Sequence, residues 1–255
     1  MLLKLASTMA PVLGPVASKA LFSKITGGFS GIIPARENVR KNLEFAGLPR
    51  RFEKEILKNF GAYLGEFLSL RNHPENLDRI LGDCDFGAIE KLRQQGRSCL
   101  AATCHYGNWE VGALSYGKYF PDVSVIIRTT GDAYLDGHIR ACRGSNNLID
   151  IDNGGRQVLK VLGRAKSIVC AAVDEPRDEG VEVQFLGRTV FFPQGLFRMA
   201  KKSGVAIVLT LCKRNKGLIN VIAQEPVADA QELADCFSQW IRDDPSQWML
   251  LSSYS

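Results

Sequence analysis

Short apolar runs alternate with helical patterns along most of the chain after residue 98. The apolar runs predict strands at 98–104, 123–128, 148–151, 167–173, 206–212 and 218–223. Stretches with apolar residues at helical spacing lie near 109–120, 133–143, 156–165 and 194–203. Strands that alternate with helices are typical of a largely parallel central sheet with crossover helices. We therefore predict an α/β fold whose sheet is flanked by helices.

Further helices are predicted on both sides of this alternating region. Residues 35–47 and 49–70 have the pattern of two amino-terminal helices, and apolar residues recur on one face of the second. Residues 181–192 predict an antiparallel hairpin, and residues 232–244 predict a last helix. The sequence contains no repeat, low-complexity tract or linker, so we predict a single domain over residues 1–255.

Residues 1–30 form a mildly apolar segment that Pro11, Gly14 and Pro15 interrupt. A helix that spans a bilayer needs roughly 20 uninterrupted apolar residues, and this segment has no such run. The segment has some features of a signal peptide. Its lysines among apolar residues also fit a helix that lies in the membrane interface, and a helix packed on the body of the protein fits equally well.

Composition and charge narrow the choice of partners. The 255 residues are 45% hydrophobic and 23% charged, which is typical of a globular protein, and the net charge is +5. The first 60 residues hold ten basic and four acidic side chains. This excess favours an anionic membrane surface, although a solvated basic face explains it as well. We expect no nucleic-acid partner, because the basic residues are not interleaved with aromatic ones.

The seven cysteines form no Cys-x-x-Cys pair, and most lie in apolar runs. This usage is typical of buried free thiols in a reducing compartment. We expect no metal ion at a functional site.

The stretch "CLAATCHYGNWEVGAL" contains the strongest candidate for chemistry. His105 follows the apolar run 98–104, and sites in sheets of this kind form outside the carboxyl ends of the strands. Gly107 permits a tight turn, and Asn108 is suited to cap a helix that carries Glu110 in its first turn. Since the chain doubles back there, we predict that the Glu110 carboxylate reaches the imidazole. The alternative is that His105 is a structural ring in the core.

A histidine and a carboxylate in this arrangement can remove a proton from a hydroxyl group. His73 and Asp78 have the same spacing but follow no buried strand, so we discount them. Because the chain has no Gly-x-Ser-x-Gly sequence for a serine nucleophile, the pattern favours direct transfer of an acyl group to an acceptor. Helix amides and a nearby arginine would stabilise the oxyanion.

Several blocks together resemble one family, the bacterial lysophospholipid acyltransferase superfamily, and within it the late lauroyl and myristoyl transferases of lipid A biosynthesis. The blocks are "RENVRKNL", "FGAYLGEFLSL", "CHYGNWEVGAL", "VIIRTTGDAYLDGHIRACRG", "GGRQVLKVLGRAKSIVCAAVDE" and "FLGRTVFFPQGLFRMAKKSGVAIV". The resemblance covers most of the chain and implies a glycerolipid acyltransferase-like fold. "CHYGNWEVGAL" resembles the family's His-x-x-x-x-Asp/Glu block in its Glu form.

The resemblance also implies roles for individual residues. His105 would be the general base and Glu110 its partner. Arg143 would contact the oxyanion or the phosphates of the donor, and Arg128 would contact charge on the acceptor. Asp174 would shape the substrate site.

The implied reaction moves a fatty acyl chain from a thioester of acyl carrier protein or coenzyme A to a hydroxyl of a membrane lipid, with no cofactor. The implied location is the cytoplasmic face of the bacterial inner membrane, where the protein would be peripheral or monotopic. The sequence departs from the lipid A enzymes at its broken amino-terminal segment, at Asp174-Glu175-Pro176 and at its ending "LLSSYS". The implied acceptor is a lipid A-like lipid, a lysophospholipid or a glycolipid. The departures count against lipid A itself and also leave an aminolipid open. A non-catalytic lipid or acyl-chain binding protein on the same fold is the alternative.

Overall fold

The computed structural model describes residues 2–29, 33, 35–71, 73–144, 147–152 and 154–254. The helices are α1 (Leu2–Gly28), α2 (Arg36–Phe45), α3 (Phe52–Leu68), α4 (Gly87–Gln94), α5 (Trp109–Tyr119), α6 (Ala133–Cys142), α7 (Gly155–Leu162), α8 (Gln194–Ser203) and α9 (Ala230–Asp243). The strands are β1 (Leu81–Asp85), β2 (Cys99–Thr103), β3 (Val123–Ile127), β4 (Asn147–Asp150), β5 (Ile168–Ala172), β6 (Val181–Phe185), β7 (Arg188–Phe192), β8 (Ala206–Asn215) and β9 (Leu218–Val227). Short 3₁₀ helices occupy Pro74–Arg79 and Pro245–Gln247.

Seven of the described strands form one sheet in the order β1-β9-β8-β2-β5-β3-β4. The five strands from β8 to β4 are parallel to one another, β9 is antiparallel to β8, and β1 is parallel to β9. Strands β6 and β7 form a separate antiparallel hairpin. The predicted α/β fold with a largely parallel central sheet and flanking helices is therefore confirmed.

All six strands predicted for the sheet are present, as is the predicted hairpin. Two elements escaped prediction: strand β1 and helix α4. Strand β1 has the sequence Leu-Gly-Asp-Cys-Asp, and none of its residues is fully buried. It lies at the edge of the sheet, so it has neither a continuous apolar run nor a clear alternation of apolar and polar residues. Helix α4 has eight residues and buries only Ala88, Ile89 and Leu92.

The core lies on both faces of the sheet. Alternate residues of β2 face opposite sides, so Leu100 and Ala102 belong to one apolar cluster while Cys99 and Ala101 belong to the other. Helices α7, α8 and α9 and the hairpin cover the first side. Helices α4 and α5 cover the second. Helices α1, α2 and α3 form a third cluster, joined by Met249.

The amino-terminal segment is a helix packed on the body of the protein. Helix α1 lies along α3 and buries Ala6, Ala10 and Phe22. It bends at Gly14, whose φ of 72° is outside the helical region. Met1 and Ser30 of the predicted segment 1–30 lie outside the described residues. Within the described part of the chain, no helix combines the length and apolar character needed to cross a bilayer.

The register of β2 and β5 brings two polar residues together. Thr103 lies opposite Ala172, and the amide of Val173 donates to the carbonyl of Thr103 at 2.9 Å. His105 and Asp174 each follow the last residue of their strand by two positions, so they leave the sheet side by side. Strand β3 lies on the other side of β5, which places Arg128 at the same edge.

Candidate active site

His105 is bound to Asp174 through both its side chain and its backbone. The imidazole Nδ1 lies 2.6 Å from Oδ1 of Asp174. The backbone amide of His105 donates to Oδ1 and Oδ2 at 3.0 and 3.1 Å. The Asp174 side chain is fully buried, whereas 24% of the His105 side chain is exposed. The histidine therefore connects a buried carboxylate with the surface.

This contact fixes which imidazole nitrogen can act as a base. Nδ1 faces a carboxylate and carries the proton, so Nε2 keeps its lone pair. Within the described ranges, no residue hydrogen-bonds to Nε2 of His105. Burial lowers the pKa of His105, but the charge of Asp174 and the hydrogen bond to it raise the pKa by more. The net result is a His105 pKa above the ordinary value for histidine.

The Asp174 carboxylate receives a further hydrogen bond from the carboxyl-terminal segment. Trp248 Nε1 donates to Oδ2 at 3.1 Å, and the Tyr254 hydroxyl donates to the Asp174 carbonyl at 2.6 Å. Burying a charged carboxylate is costly unless donors replace its water. The indole of Trp248 and the two donors of His105 supply that replacement.

The carboxyl-terminal segment also holds the backbone of the histidine turn. Tyr106 and Trp248 form an isolated antiparallel bridge. The amide of Met249 donates to the His105 carbonyl at 2.8 Å, and the amide of Gly107 donates to the Gln247 carbonyl at 2.9 Å. Both sides of the turn are thus fixed by one short segment.

Two asparagines of α2 bind that segment in turn. The Asn42 amide donates to the carbonyls of Leu250 and Ser252 at 3.0 and 2.9 Å, and its Oδ1 accepts from the Tyr254 amide at 2.9 Å. Asn38 donates to the Leu251 carbonyl at 2.7 Å. The Asn-x-x-x-Asn block in "RENVRKNL" therefore fixes the carboxyl-terminal segment, which in turn contacts His105 and Asp174.

The predicted hydrogen bond between Glu110 and His105 is absent. Both carboxylate oxygens of the buried Glu110 bind Arg143, one of them through Nε at 2.8 Å and the other through a terminal guanidinium nitrogen. The first turn of α5 directs Glu110 towards the end of α6, where Arg143 follows Cys142. Strand β5, the sheet neighbour of β2, supplies the carboxylate for His105 instead.

The turn after His105 has the structure that the sequence predicts. Gly107 has φ 62°, and a β-carbon there would overlap the carbonyl oxygen of Cys212. Asn108 caps α5, because its Oδ1 accepts from the amide of Val111 at 3.2 Å. Both residues keep Glu110 in the first helical turn.

A third buried carboxylate, Glu66, anchors this turn. Its oxygens accept from the Asn108 amide at 3.0 Å and from both terminal nitrogens of Arg214 at 2.6 Å. Lys19 of α1 lies 3.2 Å away. Only 2% of the Glu66 side chain is exposed. Glu66 is the glutamate of the "FGAYLGEFLSL" block. The resemblance implied no role for it.

Arg128 lies exposed at the rim of the site. Its guanidinium binds the Glu175 carboxylate at 2.8 Å, and Arg177 binds the same carboxylate at 3.2 Å. Glu175, to which the sequence assigned no role, thus offsets part of the charge that Arg128 would offer to an acceptor.

The other histidine with the same spacing has no such surroundings. His73 is exposed and lies 3.0 Å from Glu75, whereas Asp78 is paired with Lys118. Burial raises the pKa of the Cys104 thiol well above its usual value, which argues against a thiolate nucleophile beside His105. In the described part of the chain, no three histidine, cysteine or acidic side chains are grouped as metal ligands.

Comparison with known proteins shows the family of this chain. A family model described as bacterial lipid A biosynthesis acyltransferase matches residues 9–253. Two curated proteins named phosphatidylinositol mannoside acyltransferase, from two strains of Mycobacterium tuberculosis, are 26% and 27% identical to this chain. Each similarity covers 84% of this chain and 75% of the relative.

Replacing Gly107 with alanine should destabilise the protein through a direct overlap. A matched control is Gly96→Ala, since Gly96 also has positive φ (74°) but its β-carbon would meet no described atom within 4 Å. Gly96→Ala should lower the free energy of unfolding by about 1 kcal/mol. Gly107→Ala should lower it by at least about 2 kcal/mol more, because the Cys212 carbonyl must move. Urea denaturation measures both, and equal losses would contradict the packing described for Gly107.

The pKa of His105 should depend on Asp174 and much less on Glu110. In Asp174→Asn the attraction to a negative charge is lost while burial remains, so the pKa of His105 should fall below that of the unmodified protein. In Glu110→Gln it should move little, because Glu110 contacts Arg143. NMR titration of the imidazole signals measures both variants. A larger shift in Glu110→Gln would contradict the assignment of Asp174 as the partner.

Proposed function

Because the chain belongs to the bacterial lipid A biosynthesis acyltransferase family, we propose that it moves a fatty acyl chain from a thioester of acyl carrier protein or coenzyme A to a hydroxyl of a membrane lipid. The observation that carries this proposal is the His105–Asp174 pair, with Nδ1 held by the carboxylate and Nε2 left for an incoming hydroxyl. The reaction needs no metal ion or cofactor beyond the donor.

In the proposed reaction, Nε2 of His105 takes the proton of the acceptor hydroxyl. The resulting oxygen attacks the thioester carbonyl, and the imidazolium that forms is stabilised by Asp174. The tetrahedral intermediate then collapses, the carbon–sulfur bond breaks, and the imidazolium returns its proton to the leaving sulfur. The products are an ester and a free thiol.

The remaining polar residues have separate proposed roles. Arg143 contacts the oxyanion or a phosphate of the donor, and Glu110 holds it in place rather than acting on His105. This pair is nearly buried, so the guanidinium keeps one orientation and loses little entropy when it binds a substrate. In this proposal Asp174 is the carboxylate partner of His105 and does not only shape the substrate site. Arg128 contacts acceptor charge, in competition with Glu175.

The acceptor that the comparisons favour is a glycolipid. The matching family is named for lipid A, and the curated relatives are named for phosphatidylinositol mannosides. Both are lipids that carry sugar hydroxyls. We therefore propose a sugar hydroxyl of a membrane glycolipid as the acyl acceptor, ahead of a lysophospholipid.

The proposed location is a membrane surface, with α1 as the docking element. Val12 and Val16 beside the bend at Gly14 are 86% and 70% exposed, and Leu13 between them is also exposed. Exposed apolar groups on the outer face of a packed helix are suited to insert among lipid head groups. The protein would then be peripheral or monotopic at the cytoplasmic face of the bacterial inner membrane.

Replacing His105 should separate an enzyme from a lipid-binding protein on the same fold. His105→Ala should lower kcat for acyl transfer by about 10² to 10⁴ while folding and vesicle binding persist. Mass spectrometry of membrane lipids, with and without the protein, should show one lipid that gains one acyl chain. An unchanged lipidome, or full activity in His105→Ala, would favour the non-catalytic alternative.

The pH dependence of transfer should report the His105–Asp174 pair. The base must be neutral, so kcat/KM should fall as the pH drops through the raised pKa of His105. In Asp174→Asn this acidic limb should move to lower pH, and the maximal rate should fall by about a hundredfold or more because the tautomer is no longer fixed. Glu110→Gln should lower the rate without moving the limb. A limb that moves in Glu110→Gln alone would contradict the mechanism.

Removing the exposed apolar groups of α1 should weaken membrane binding. The double variant Val12→Ser, Val16→Ser leaves the buried face of α1 unchanged, so the fold should persist while co-sedimentation with anionic vesicles falls. The control is Tyr119→Ser, which removes an exposed aromatic group from the end of α5. Equal losses in both variants would argue against α1 as the docking element.

A further inference from the structure

A large cavity opens at the carboxyl ends of β3 and β4, the same edge of the sheet from which His105 and Asp174 emerge. Its volume is about 1210 Å³, and its walls are the start of α7, the loop after β5 and one face of α8 from its first turn to Lys202. His105 follows β2 and Arg128 follows β3, which are separated only by β5. Two strand spacings amount to roughly 10 Å. A substrate that reacts at His105 can therefore extend into this cavity.

Cationic side chains dominate the lining of the cavity. Arg128, Arg177, Arg198, Lys201 and Lys202 contribute five positive charges, and Asp152, Asp178 and Glu179 contribute three negative ones, which leaves an excess of two. The three cations of α8 form no ion pair with any residue in the described ranges. The Nε of Arg177 is buried and lacks an acceptor among the described residues. These groups have donors available for an anion.

The backbone adds positive potential from two directions. Helices α7 and α8 both begin at the cavity wall, and neither has a side chain that caps its first amides. Helix starts with open amides favour negative groups, particularly phosphates. Helix termini and unpaired basic side chains thus point to the same kind of ligand.

We propose that this cavity binds a phosphate ester group of one of the two substrates during acyl transfer, with Arg198 and Lys202 as its contacts on α8. The proposal rests on the proposed function. Both possible donors carry their thiol on a pantetheine arm attached to phosphate, and a phospholipid acceptor carries a phosphodiester. Phosphate esters are the shared chemistry, and the experiment distinguishes their source.

Charge reversal on α8 tests the proposal, with a matched control on α7. The test variant is Arg198→Glu, Lys202→Glu, and the control is Arg156→Glu, Lys160→Glu. Both pairs are exposed, lie four residues apart on a cavity-wall helix and change the net charge equally, but Arg156 and Lys160 do not line the cavity. The control therefore measures the effect of net charge alone.

Paired substrates with and without phosphate identify the source. If the donor occupies the cavity, the test variant should lose about tenfold or more in kcat/KM with acyl-coenzyme A but little with acyl-pantetheine, which lacks phosphate. If the acceptor occupies it, the loss should persist with acyl-pantetheine and disappear with an acceptor that lacks phosphate. Equal rates in the test and control variants, or a loss that does not depend on phosphate, would overturn the proposal.

A binding measurement separates this proposal from the catalytic one. Calorimetry with coenzyme A and with a soluble glycerophosphodiester requires no turnover. If no acyl transfer occurs but one of these ligands binds tenfold more weakly to the test variant than to the control, the cavity assignment stands and the proposed function fails. If transfer occurs and depends on His105 while neither binding nor kcat/KM changes in the test variant, the proposed function stands and the cavity assignment fails.

Discussion

The hydrogen bond between His105 and Asp174 is the interaction on which the site depends. Both residues leave adjacent strands at equivalent positions, so the register of β2 and β5 sets their separation. Asp174 is fully buried, and a buried carboxylate needs hydrogen-bond donors in place of water. The backbone of His105 and the indole of Trp248 provide them. The carboxyl-terminal segment is consequently part of the site and not merely an end of the chain.

A second buried carboxylate connects the amino-terminal helices to the same turn. Glu66 on α3 binds Asn108, which caps α5, and also Arg214 on β8 and Lys19 on α1. Displacement of any one member would leave a buried charge unpaired in a low dielectric. Because this is costly, the network resists such displacement. A displacement of α1 would therefore alter the turn that carries His105 and Glu110.

Local features of the site could be predicted from the sequence, whereas the partner of His105 could not. The buried strand, Gly107 and Asn108 are signals within a few residues of one another, and the structure has all of them. The contact with Asp174 depends on β5 being the neighbour of β2, although β3 and β4 lie between them in sequence. The contacts of Asn38 and Trp248 belong to the same class, since 213 residues separate Asn38 from Leu251 and 74 residues separate Trp248 from Asp174.

Two carboxylates lie near His105, and they contact different partners. The His-x-x-x-x-Glu spacing does not reveal this difference. Asp174 faces an ionisable base and raises its pKa, so it governs the proton. Glu110 faces a permanently charged guanidinium, so its principal effect is on orientation. Proton transfer requires a partner fixed to the rigid sheet, because small displacements alter its geometry. Stabilisation of a charge is less sensitive to small displacements, so Arg143 can be held by Glu110 between two helix ends. The sheet edge therefore holds the proposed base, and the helices hold the cation.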